Sequence, residues 1–277
     1  MNVAYRLTLP DIQSQHDARN IPIDAVGIKG VRYPMTIGSG GKAQPTIATV
    51  FMTVGLSAAA KGTHMSRFVE LLEAQKSALD QGQFERMVRD MLHRLGASTG
   101  AIEIRFPYFV MKAAPISGVH SQLDYEVCWL GSVVENEEYS FSVNVTVPAT
   151  SLCPCSKEIS EYGAHNQRSH ISITADLASE VPIEELIIIA ERSASCELYG
   201  LLKRSDEKYV TERAYDNPRF VEDLVRDVAL ALRRDRRVNS FTVEAENFES
   251  IHNHSAFARI VQPRIDLGAR ALDVLDG

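Results

Sequence analysis

Four cysteines in 277 residues are too few for a disulfide framework. Two of them, Cys153 and Cys155, are separated by a single residue, a spacing that disfavours a strain-free bridge. Reduced thiols in a cytoplasmic protein are therefore expected. Long apolar runs are also missing. A stretch such as LIIIA (Leu186–Ala190) falls far short of the roughly 20 residues a membrane helix needs. The first twenty residues, MNVAYRLTLPDIQSQHDARN, are polar and mixed in charge, and read as no signal peptide. Positive charge is in deficit as well. The formal net charge of −7 provides no global basic field to recruit nucleic acid, so an anionic substrate must be held by local Arg and Lys.

With 45% hydrophobic residues, the chain can bury one large core or two ordinary ones. Residues 1–24 show no sustained periodicity and are expected to form a mobile arm. Strand patterns follow at Val26–Met35, closed by Pro34 and nearby glycines, and at Ala48–Ser57. KGTHMSRFVELLEAQ reads as a helix with Thr63 as its N-cap and Met65, Phe68, Leu71 and Leu72 as its apolar stripe. A second helix spans Phe84–Gly96, and strands follow at Ala101–Lys112 and Leu123–Val134. The second half repeats this order. It has strands at Tyr139–Val147 and Ser169–Ala175, a long helix at Ile183–Arg204 and a helix at Asn217–Asp235, capped by Asn217 with Pro218 in its first turn. Phe220, Val221, Leu224, Val225, Val228 and Leu232 are this last helix's buried stripe. Closing strands fall at Phe241–Phe248 and His254–Gln262. The expected class is α+β, made of two β-β-α-α-β-β units at 25–136 and 137–277. Open sheet edges would make oligomerisation a natural outcome.

Chemistry concentrates in Ser151–His170, SLCPCSKEISEYGAHNQRSH, displayed between two strands. A Cys-Pro-Cys turn alone could be simple core packing. Cys153 and His165 together offer a thiolate and an imidazole to one divalent ion, and the spacing matches no closed structural zinc module. A catalytic site with an open position fits better. A third ligand must come from elsewhere. RSDEKYVTERAYDNP, read as the loop between the two C-terminal helices, holds Asp206, Glu207, Glu212 and Asp216, each of which base rates would make a solvated charge. IHNHS places His252 and His254 two apart, on the same side if the segment is a strand.

SLCPCSKEIS followed by GAHNQRSHI closely resembles the signature of the IB type of GTP cyclohydrolase I. KGTHMSRFVELL, KRSDEKYVTERAYDNPRFVEDLVRD and ESIHNHSAFA resemble further blocks of that family in the right order, so the likeness covers most of the chain. The resemblance implies a tandem tunnelling fold and a homotetramer with active sites between subunits. It implies Cys153, His165 and Glu207 as metal ligands, with Cys155 as a catalytic thiol beside the metal, although the two cysteines could exchange these roles. Glu222 would anchor the purine, since one carboxylate can accept from both N1–H and N2–H₂ of guanine. His252 would carry protons. The implied reaction is hydrolytic opening of the imidazole ring of GTP with loss of C8 as formate, giving 7,8-dihydroneopterin triphosphate, the first step of folate synthesis. Manganese or zinc is the expected ion. For the triphosphate, Lys61, His64 and Arg67 stand at a helix N-terminus, and Lys157 and Arg168 lie on the cysteine loop. The rivals are an archaeal relative giving a cyclic phosphate product, a tunnelling-fold nitrile reductase, and a non-catalytic purine- or metal-binding protein. The Cys-Pro-Cys plus His pattern argues against the reductase.

Overall fold

A computed structural model describes residues 10–134 and 138–264. The expected boundary between units at 136 and 137 lies outside the described residues, as do residues 1–9 of the expected arm and 265–277. Among the described residues, nine strands form one antiparallel sheet. They are β1 (Ile23–Ser39), β2 (Lys42–Leu56), β3 (Gly100–Ala113), β4 (His120–Val133), β5 (Tyr139–Leu152), β6 (Asn166–Leu177), β7 (Cys196–Glu197), β8 (Val238–Asn247) and β9 (Ala256–Gln262). The spatial order is β1-β2-β3-β4-β5-β6-β8-β9, and the short β7 pairs with β5. The helices are α1 (Met65–Ala74), α2 (Gln81–Leu95), α3 (Pro154–Ile159), α4 (Ile183–Ser193), α5 (Arg204–Asp216) and α6 (Val221–Arg234). The α+β class expected from the sequence is what the structure shows. None of these helices is long and apolar enough to cross a membrane.

Several strands run through prolines; at Pro34, Pro45 and Pro148 they extend past their expected ends, whereas Pro107 lies inside the strand expected over 101–112. Pro34 lies in β1, an edge strand. Pro45 and Pro107 lie beyond Thr49↔Arg105, the last β2–β3 pair. Pro148 lies past Glu126↔Thr146, where β4 leaves β5, and before Ala149↔Glu197, where β7 joins it. A proline removes one ladder donor, which is tolerated where a neighbouring strand is absent. Where β2 and β3 part, side chains take over. Gln44 both donates to and accepts from the backbone of Phe109, at 3.1 and 3.0 Å, and Thr46 donates to the Pro107 carbonyl at 2.9 Å. Gly40 and Gly41, both at positive φ, make the two-residue β1–β2 turn.

One sheet face carries the core. Val50, Met52, Ile102, Ile104, Tyr125, Trp129, Val143, Val145, Ile171 and Val243 pack there against Phe68, Leu72, Phe84, Val88, Leu186, Leu224 and Val228 of the helices, forming one continuous apolar layer across both halves of the chain. Met65 is exposed, because α1 begins with it and its stripe starts at Phe68. His64, rather than Thr63, occupies the N-cap position. Thr63 is buried. The opposite face is polar, as in the Asn144–Thr174 and Thr146–Ser172 side-chain pairs. The β1–β2 turn is fastened to α4: Ile183 N–H donates to Ser39 Oγ at 2.9 Å, and Lys42 pairs with Glu184 at 2.9 Å.

The second half departs from a simple repeat. The long helix expected over 183–204 stops at Ser193, and the expected loop after it contains α5. After α4 the chain pairs with β5 as β7, and Gly200 then lies against the β4 backbone, where an added Cβ would stand 2.6 Å from the Gln122 carbonyl oxygen. Asn217 does not cap α6. It closes α5, and its Nδ2 donates to the Ala194 and Ser195 carbonyls at 3.0 and 3.2 Å. The α6 helix starts after an exposed Phe220, whose N–H donates to Asp223 at 3.0 Å. Within the expected arm, residues 13–17 are hydrogen-bonded along residues 59–62, as in Asp17 N–H to the Ala59 carbonyl (2.9 Å) and Lys61 N–H to the Gln15 carbonyl (3.1 Å).

Candidate active site

Strands β5 and β6 run to Leu152 and Asn166, so the connection between them shrinks to residues 153–165. Cys153 is the N-cap of α3, with Pro154 in its first turn, a position that suits proline because its missing N–H has no helical partner. The Cys153 sulfur accepts the Ser156 N–H at 3.4 Å. Ser156 Oγ donates to the Cys153 carbonyl at 3.1 Å and accepts the His165 N–H at 3.2 Å. Cys153 N–H donates to the His165 carbonyl at 3.2 Å. The thiol and the imidazole expected to share an ion thus sit on one small hydrogen-bonded frame. Cys155 is exposed beside it.

His165 Nδ1 lies 2.8 Å from Gln167 Oε1 and 3.2 Å from Ser250 Oγ. Among the described residues these contacts engage Nδ1 only, leaving Nε2 for an ion. The donor chemistry of Cys153 Sγ and His165 Nε2 therefore fits a borderline-soft divalent metal. Within the described residues of this single chain, no group of three His, Cys, Asp or Glu side chains is close enough to hold a metal ion. Glu207 is exposed on the first turn of α5.

The carboxylate next to it behaves differently. Asp206, expected to be a solvated charge, is fully buried. It accepts from Ile116 N–H (2.8 Å), Ser117 N–H (2.8 Å), Ser117 O–H (2.6 Å) and Lys203 N–H (2.8 Å). Burial works against its charge, yet donation from Ser117, Lys203 and Ile116 outweighs it and holds the carboxyl below its usual range. Asp206 thereby pins the start of α5 to the β3–β4 turn. Further along α5, Arg213 pairs with Glu197 at 3.0 Å, and Tyr199 O–H donates to Glu197 at 2.6 Å. Glu222 is exposed on the first turn of α6. The α5–α6 connection is tied to β5 by Arg219 N–H donating to the Leu152 carbonyl at 3.0 Å.

His252 and His254 lie in a bend before β9 rather than on a strand, and still come together, with ring centroids 5.3 Å apart and planes 18° from parallel. Four of the five expected phosphate anchors are already engaged. Lys61 donates to Gln15 at 3.2 Å, His64 lies 3.3 Å from Asp11, and Arg67 donates to the Arg94 carbonyl at 2.7 Å. Lys157 donates to the Tyr215 carbonyl and lies over that residue's ring at 4.3 Å. Arg168 is exposed on β6, opposite Thr150. A cavity of about 620 Å³ includes His64 and Arg67 in its lining. Another, of about 1110 Å³, lies where β2 and β3 part and is lined by none of the candidate residues. Sequence reasoning did not identify Ser156, Gln167 or Ser250. A serine three residues after Cys153 was the one available signal, since that spacing is where an N-cap side chain meets its backbone donor.

The family described as "Type I GTP cyclohydrolase folE2" matches residues 9–258. Proteins named GTP cyclohydrolase FolE2 are similar over most of the chain. One from Ralstonia nicotianae is 58% identical over 252 residues, covering 91% of this chain and 94% of that relative. One from Paraburkholderia xenovorans is 59% identical over 261 residues, covering 94% and 96%. One from Neisseria meningitidis serogroup C is 56% identical over 256 residues, covering 92% and 86%. A solved urate oxidase from Bacillus sp. TB-90, a highly active mutant, is 11% identical at a TM-score of 0.51, over 87% of this chain and 100% of that one, a likeness of fold alone. By the match over most of its length and the identity to these relatives, the chain belongs to the type I GTP cyclohydrolase folE2 family.

Proposed function

We propose that the chain is a GTP cyclohydrolase that opens the imidazole ring of guanine, releases formate and forms 7,8-dihydroneopterin triphosphate, feeding folate synthesis. The observation that carries this reading is the match to the folE2 family over residues 9–258, which spans the frame joining Cys153 to His165. Cys153, His165 and Glu207 would hold one divalent ion, manganese or zinc. When bound, the ion would supply a water activated at neutral pH. Glu222 accepts from the guanine edge and orients C8. His252 and Cys155 move protons as the ring opens and recloses. Lys61, His64 and Arg67 bind the triphosphate after exchanging their present partners for it, joined by the exposed Arg168.

The two-unit organisation, with a second unit from 137 to 277, and the homotetramer belong to the same proposal. Among the described residues, strands β1 and β9 are the two ends of the sheet order, and edge strands of this kind can pair across subunits. Active sites between subunits would let a second copy contribute residues to the Cys153 frame. The four free cysteines fit a reducing, cytoplasmic setting.

The test is incubation of the purified protein with GTP, with formate measured and the pterin product identified by mass, before and after chelation. Stoichiometric formate and a linear triphosphate product, both lost on chelation and restored by manganese or zinc, are expected. Turnover undiminished by chelation would remove the metal. A cyclic phosphate product would reassign the reaction. A monomer mass by light scattering, with activity intact, would remove the tetramer.

A further inference from the structure

We infer that Glu249 and Gln167 are positioning residues that set which nitrogen of His165 faces the metal. The inference rests on the reading of His165 as a ligand. Gln167 is nearly buried on β6, opposite Ser151, so its amide has few partners to choose from. Its Oε1 faces His165 Nδ1 at 2.8 Å, and its Nε2 donates toward Glu249 Oε1 at 3.5 Å. A carboxylate can only accept, so it draws the NH₂ end of the amide and leaves the carbonyl end toward the imidazole. A carbonyl can also only accept, so Nδ1 must carry the hydrogen. Nε2 then keeps its lone pair, which is what an ion requires. Ser250 Oγ, 3.2 Å from Nδ1, can accept in the same sense. Polarity thus passes from carboxylate to amide to imidazole, and partners of this kind fix tautomer and ring orientation at metal sites. Glu249 and Ser250 sit on the β8–β9 connection that also carries His252, so the chain of contacts ties the proposed proton carrier to the proposed ligand.

Reversing the polarity should reverse the outcome. Glu249→Lys puts a donor where the acceptor stood, which favours a flipped amide with NH₂ toward His165 and places the hydrogen on Nε2. Glu249→Gln can still accept through its carbonyl and should behave as the wild type. Gln167→Met keeps the bulk and removes the acceptor. The probe is Co²⁺, added to metal-free protein in competition with a chelator and followed by thiolate-to-cobalt absorbance, with melting temperature measured alongside. Glu249→Lys and Gln167→Met should each weaken Co²⁺ binding by about 10–100-fold, with Glu249→Gln close to the wild type. If His165→Ala binds Co²⁺ like the wild type, the ligand reading fails and the inference falls with it. If His165→Ala loses Co²⁺ while Glu249→Lys and Gln167→Met retain wild-type affinity, the inference alone is overturned. Equal losses in Glu249→Lys and Glu249→Gln would also overturn it, because the polarity would not matter.

Discussion

The 153–165 connection and the first turn of α5 both carry residues proposed to hold the ion, and the fold holds them in different ways. The backbone of the connection is held largely by its own atoms, while the His165 ring and Lys157 also reach Ser250 and Tyr215. Ser156 links the Cys153 sulfur and carbonyl to the His165 N–H, and every bond in that frame lies within thirteen residues. The start of α5 is held from outside, by a buried Asp206 that reaches Ser117 and Ile116, ninety residues away in sequence for the latter. A short-range frame can be damaged without disturbing the rest of the protein. A long-range anchor cannot, because its loss frees both the helix and the β3–β4 turn. The backbone that carries Glu207 is therefore positioned by long-range contacts, whereas the backbone that carries Cys153 and His165 is framed locally and only the His165 ring reaches a distant segment.

That contrast can be broken by substitution. The largest effect belongs to the connection itself: Cys153→Ala or His165→Ala should abolish formate release from GTP and reduce bound metal, with melting temperature nearly unchanged. Wild-type turnover in either variant would remove that residue from the site. Next is Cys155→Ser, which should keep metal and bind GTP yet lose most turnover. Loss of metal in Cys155→Ser, with retention in Cys153→Ser, would show the two cysteines exchanged. Glu222→Gln replaces an acceptor oxygen by a donor facing the guanine N–H groups. A mispaired buried polar contact costs about 1–3 kcal/mol, so GTP affinity should fall by roughly one to two orders of magnitude. Unchanged affinity would take Glu222 out of the purine site. The long-range anchor should respond differently from all of these. Asp206→Ala should lower the melting temperature by several degrees and weaken metal binding together, while Ser156→Ala weakens metal binding alone. Equal melting temperatures in these two variants would erase the contrast.

The same difference explains what could be read from the sequence. Strands with β-branched alternation, such as Val143–Val147 and Ile171–Ala175, announce themselves because one face is buried. The amphipathic helix α2 does so too, with Asp80 accepting the Gln83 N–H at its start and Gly96 in the left-handed region at its end. The Cys-Pro-Cys turn and His165 were visible as residue types. Helix α5 was not, because it has almost no apolar stripe. Its buried residues are Asp206 and Ala214, and polar contacts hold it in place. Pro34 and Pro148 read as strand ends because a sequence does not show which side of a strand has a neighbour. Gln167 meets His165 and Glu249 only through the β5–β6 register and the approach of the β8–β9 connection, and neither is encoded within its own segment.

The thiols give the finest measure of the contrast. Cys155 is exposed on the connection, while Cys196 is buried on β7, behind the Glu197–Arg213 pair that fastens α5. Burial, with the neighbouring Glu197 charge adding to it, pushes the Cys196 thiol up to about 11 from an ordinary value of 9.0. Cys128, on the sheet, is likewise raised to about 11 by burial and by Glu103. The thiolate is the reactive form, and each unit of pKa is a factor of ten in its population below the pKa. At pH 8 the thiolate fraction at Cys128 and Cys196 is therefore about 100-fold lower than for an ordinary thiol, before access is counted. Raising the pH should speed their alkylation about tenfold per unit until the pH approaches 11. Peptide mapping after iodoacetamide treatment of metal-free protein at pH 8 should find Cys155 modified first and Cys128 and Cys196 last. In Asp206→Ala the loosened α5 should accelerate labelling of Cys196, and in Ser156→Ala that rate should stay as in the wild type. Labelling of Cys196 as fast as Cys155 in the wild type would contradict its burial. Identical Cys196 rates in the two variants would mean that Asp206 does not hold α5 against β7.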